Sequence, residues 1–65
     1  MSEFFTAREK AAEARRETAF RRRVYKRLVA EGRMTPDEAA RRLALMTEIE
    51  ADYVKLVRST EELPL

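Results

Sequence analysis

Seven cations recur on a helical period in the first half of this chain: Arg8, Arg15, Arg16, Arg22, Arg23, Lys26 and Arg27. At about 100° per residue, Arg8, Arg15, Arg22 and Lys26 form one band, and Arg16, Arg23 and Arg27 form the next. Guanidinium groups so gathered offer charge-assisted donors to phosphate or carboxylate oxygens. The chemistry they could do is binding: to the backbone of a nucleic acid, an acidic protein or an anionic surface. The candidate nucleic-acid contacts are Arg15, Arg16, Arg22, Arg23, Lys26 and Arg27. The stripe holds no Asn or Gln with which to read adenine, so contact with phosphates is the most it supports. A plainer reading competes, in which Glu9, Glu13 and Glu17 pair with nearby cations and the face is simply solvated.

Other chemistry finds no residues. The chain has no His and no Cys, which removes the commonest general base, thiolate nucleophiles, disulfides and zinc–thiolate sites. Glu48, Glu50 and Asp52 alternate around a helix and do not converge, and Ser2, Ser59 and Thr60 have no base beside them. No glycine-rich loop could cradle a phosphate, and no EF-hand loop is present. The expectation is a non-enzymatic protein without catalytic, cofactor-binding or metal-binding residues.

The elements that carry the stripe are set by one short turn. Glu31 to Glu38 contain the only Gly and one of the two Pro residues, between two long segments of helix formers. Gly32 can take the left-handed conformation that ends a helix. Thr35 can cap the next helix, Pro36 suits its first position, and Glu38 completes a capping box. The reading is all-α: an antiparallel hairpin of two helices at about residues 3–31 and 36–58, the first starting near Ser2 or Glu3. A single domain covers 1–58, and 59–65, with Pro64, reads as a flexible C-terminal tail.

Apolar residues mark where the helices meet. In the first helix the seam is Phe4, Ala7, Ala11, Ala14, Thr18, Arg21, Tyr25 and Leu28, widened toward the turn by Phe20 and Val24. Its small residues predict close packing near the turn and looser packing in the N-terminal half. In the second helix the seam is Ala39, Leu43, Met46, Glu50, Tyr53 and Val57, and Arg21 is expected to pair with Glu50, within a subunit or across a dimer. Leu45, Ile49 and Leu56 on one side, and Val54 on the other, widen the second apolar arc beyond the roughly 100° that one neighbouring helix covers. At 65 residues a single core supplies only about 3–5 kcal/mol. A homodimer closing into a four-helix bundle is therefore expected, with Leu45, Met46, Ile49, Tyr53 and Leu56 at the interface. An apolar edge left in water is the alternative.

Val24-Tyr25-Lys26-Arg27-Leu28-Val29-Ala30-Glu31-Gly32-Arg33-Met34-Thr35-Pro36-Asp37-Glu38-Ala39-Ala40, continuing through Leu45 to Tyr53, resembles small bacterial and prophage-encoded helical-hairpin proteins of unassigned function. Those often carry proline just after the tyrosine, where this chain has Lys26. The Gly32–Glu38 turn is similar to the short hairpin called SHOCT, an oligomerisation or interaction module. The resemblance covers half the chain and implies an interaction hairpin, with no activity and no site residues. Charge divides along the same line: residues 1–33 hold ten Lys/Arg and five Glu, and 34–65 hold four Lys/Arg and seven Asp/Glu. No apolar run reaches membrane-spanning length, no secretory leader is recognisable, and a cytoplasmic location is expected.

Overall fold

The computed structural model describes residues 4–61, and among them the only regular elements are two α-helices, α1 (Ala7–Ala30) and α2 (Pro36–Glu61), which fold back on each other. The two-helix reading stands, with its ends moved.

The first helix begins later than expected. Thr6 is its N-cap, and its backbone is extended (φ −79°, ψ 164°). The Glu9 N–H donates to Thr6 Oγ1 at 3.1 Å, and the Thr6 N–H donates to Glu9 Oε1 at 2.8 Å. This reciprocal box satisfies two helix-end N–H groups at once and sets the start of the helix at Ala7. Ser2 and Glu3 lie outside the described residues. Phe4 precedes the cap, so it leaves the expected seam and is 86% exposed.

The turn is a Schellman motif. The Arg33 N–H donates to the Leu28 carbonyl at 2.8 Å and the Gly32 N–H to the Val29 carbonyl at 3.0 Å. Gly32 carries φ +73°, and a Cβ placed there would meet nothing within 4 Å. The need for glycine is therefore conformational, with no steric component from neighbours.

Thr35 caps α2 by accepting from the Glu38 N–H at 3.0 Å. The expected box is only half made, because the Glu38 carboxylate turns along the helix to Arg42 at 2.9 Å. An i,i+4 pair with the acid toward the N-terminus competes well for that carboxylate. At its other end α2 runs through Ser59 and Thr60 to Glu61, three residues past the expected Arg58. Pro64 disfavours helix at the residue immediately before it, leaving 59–61 unconstrained. Residues 62–65 lie outside the description.

Packing centres on the middle of the hairpin. Among the described residues Ala14, Thr18 and Met46 are buried, Thr18 only 1% exposed. This corrects the expected loose N-terminal half. Small side chains bring two helix axes closer, and Met46 can fill the space opposite. The Thr18 hydroxyl donates to the Ala14 carbonyl at 2.9 Å, so the buried polar atom is satisfied. The remaining seam residues of both helices are half-buried, and no buried side-chain polar atom among the described residues lacks a partner. No helix among the described residues is long and apolar enough to cross a membrane.

Candidate interaction surfaces

A cross-helix ion pair gives the register. Arg15 Nε lies 3.5 Å from Glu50 Oε2, so within the subunit Arg15 takes the place expected for Arg21. Arg21 instead donates from Nε to Glu17 Oε2 at 2.7 Å, within its own helix. The reason is reach: the i,i+4 carboxylate is already on the adjoining turn, whereas Glu50 lies level with Arg15. The hydrogen bond to Glu17 raises the Arg21 pKa above the usual guanidinium range, against a smaller lowering by burial.

Stepping five residues toward the turn from that pair brings Phe20 level with Leu45. Around α2, Leu45, Ile49 and Leu56 fall about 180–220° from Pro36, and Val54 falls near 0°. They therefore occupy opposite sides of the hairpin. The Val54 side is also the side of Arg8 and Arg15, since those residues line one hollow together with Val54, Val57 and Arg58. On α1, Phe20 is about 140° from Arg15 and so joins the Leu45 side. The two sides of the molecule differ in kind: one apolar, the other basic.

The apolar side is open to solvent. Leu45 is 59% exposed, Leu56 46%, Phe20 49% and Ile49 37%. Tyr53 is half-buried at its edge. Met46 does not belong there. It is 7% exposed, turned into the hairpin at the Ala14–Thr18 layer, and has almost no area left for a partner. Phe20 was expected to widen the seam, but its position about 130° from the seam centre carries it out of the groove. It meets Arg23 instead, whose guanidinium carbon is 5.7 Å from its ring centroid, a contact of about 0.5–1 kcal/mol when exposed.

The six candidate phosphate contacts are all exposed. Arg15 is engaged with Glu50, Arg16 lies 3.9 Å from Glu13, and Arg23 covers Phe20. Arg22, Lys26 and Arg27 make no ion pair among the described residues. Arg22 and Lys26 face the same side as Arg15, while Arg16, Arg23 and Arg27 point away from α2. Arg58 adds a cation from the second helix beside Arg8 and Arg15, which reading α1 alone overlooked. Its place four residues after Val54 was the available signal.

No family model, curated protein or solved structure matches this chain.

Proposed function

We propose that this chain is a non-enzymatic helical interaction or regulatory module that self-associates through the apolar side of the hairpin. The observation that carries the reading is the exposure of Leu45, Ile49 and Leu56 beside a core of only three buried residues among those described. A hairpin that buries so little gains most by covering that stripe with a second copy. Two hairpins joined there form a four-helix bundle with a two-fold axis. The test is the dependence of melting temperature on protein concentration. Self-association predicts a midpoint that climbs with concentration, and a constant midpoint from micromolar to millimolar contradicts it.

A second reading rests on Arg22, Lys26 and Arg27, exposed cations that make no ion pair among the described residues. These residues suit the phosphates of DNA or RNA without base preference. Titration with duplex and single-stranded nucleic acid at rising salt separates the readings. A slope of about −0.9 in log affinity against log salt per duplex phosphate contacted is the expected signature. No binding at low salt rejects it.

A further inference from the structure

The same apolar side carries charges that distinguish one way of pairing two copies from the others. Leu45, Ile49, Asp52 and Leu56 follow a 4-3-4 spacing, so an acidic residue interrupts the apolar stripe. Glu48 and Lys55, seven residues apart, flank the stripe on the edge away from α1. All three charged side chains are exposed, and none makes an ion pair among the described residues.

We propose that the occupant of this side is a second copy lying antiparallel, α2 against α2, with the two-fold axis between Glu50 and Ala51. This rests on the self-association proposed above and adds its direction and register. In that arrangement each Leu45 shares a layer with Leu56 of the second copy, and each Ile49 shares one with Asp52 of the second copy. Glu48 then lies about 3 Å along the axis from level with Lys55 of the second copy, and the pairing occurs twice by symmetry. Phe20, level with Leu45, adjoins both end layers.

Charge disfavours the alternatives. A parallel pair in register sets Asp52 against Asp52 in one apolar layer, with two carboxylates repelling where water is excluded. An antiparallel pair slid by one heptad sets Glu48 against Glu48 and Arg41 against Lys55. Only the proposed register matches leucine to leucine at both ends and opposes unlike charges along the edge.

The chain has no cysteine, so introduced thiols report geometry directly. Leu45→Cys and Leu56→Cys replace exposed residues, and helix content by circular dichroism checks the fold of each. The two variants are mixed and treated with mild oxidant or a short bis-maleimide. The proposal expects a 45–56 crosslinked dimer from the mixture and little from either variant alone, because like positions are about 16 Å apart along the axis. Crosslinking of each single variant with itself overturns the antiparallel register while leaving a dimer, and light scattering on the same samples shows which claim has failed. A monomer under those conditions overturns both.

A second measurement needs no cysteine. Glu48→Lys and Lys55→Glu each oppose like charges in a homodimer, but attract when mixed. The proposal expects the mixture to associate at least tenfold more tightly than either variant alone at low salt. Equal association of all three samples overturns the register.

Discussion

The two sides of this hairpin spend their residues differently. On one, Leu45, Ile49 and Leu56 leave apolar area in water beside Phe20, which only the Arg23 guanidinium partly covers. On the other, Arg22 and Lys26 stand in water at almost no cost, because solvation and salt already stabilise an exposed cation. An apolar stripe beside a thin core is thus under thermodynamic pressure to find a partner, and a basic stripe is under none.

The comparison breaks most easily at the apolar side. Ile49→Glu or Leu45→Glu places a charge in the proposed interface twice per dimer. Each is expected to weaken association by more than a hundredfold, about 2.7 kcal/mol or more, while leaving the monomer helical. Concentration-dependent light scattering with circular dichroism checks both halves of that expectation.

Inside the hairpin, Ala14→Leu should overfill the buried Ala14–Thr18–Met46 layer and destabilise by about 1–3 kcal/mol. The same change at Ala12, an exposed α1 position, should cost less than about 0.5 kcal/mol. Equal denaturation midpoints for the two variants would place the tight layer elsewhere.

At the turn, Gly32→Val should cost more than Gly32→Asn, since a β-branched residue tolerates the +73° φ poorly. Thr6→Ala and Thr35→Ala should each cost about 1 kcal/mol, because both hydroxyls accept from a helix-end N–H. Urea midpoints measure all four.

The smallest effect belongs to the cations of α1 that point away from α2. Changing Arg16, Arg23 and Arg27 together to Gln should leave dimerisation unchanged and move stability by about 1 kcal/mol or less, most of it from the Arg23–Phe20 contact. A large loss of stability would mean that these cations hold the fold.

Much of this architecture was legible in the residues, and the misses share a cause. Gly32, Thr35 and Pro36 specify a turn through local chemistry, which a sequence displays directly. Thr6 and Glu9 carried the same signal as Thr35 and Glu38 and place the start of α1 four or five residues later than helix propensity alone suggested. The seam positions followed from period. Partner choice did not: whether Glu50 meets Arg21 or Arg15 depends on a register shift of under two turns, which period alone leaves open. Met46 and Leu45 are neighbours in sequence, yet a rotation of about 100° puts one in the core and leaves the other in water. The candidate site therefore depends on the rotational setting of α2 against α1, which only the packed hairpin supplies.

Sedimentation equilibrium of the parent chain beside Ile49→Glu tests the central claim most directly. The account predicts that the parent sediments at twice its 7.6 kDa chain mass at micromolar concentration, and that Ile49→Glu sediments at the chain mass. A parent that remains at the chain mass up to millimolar concentration would contradict it.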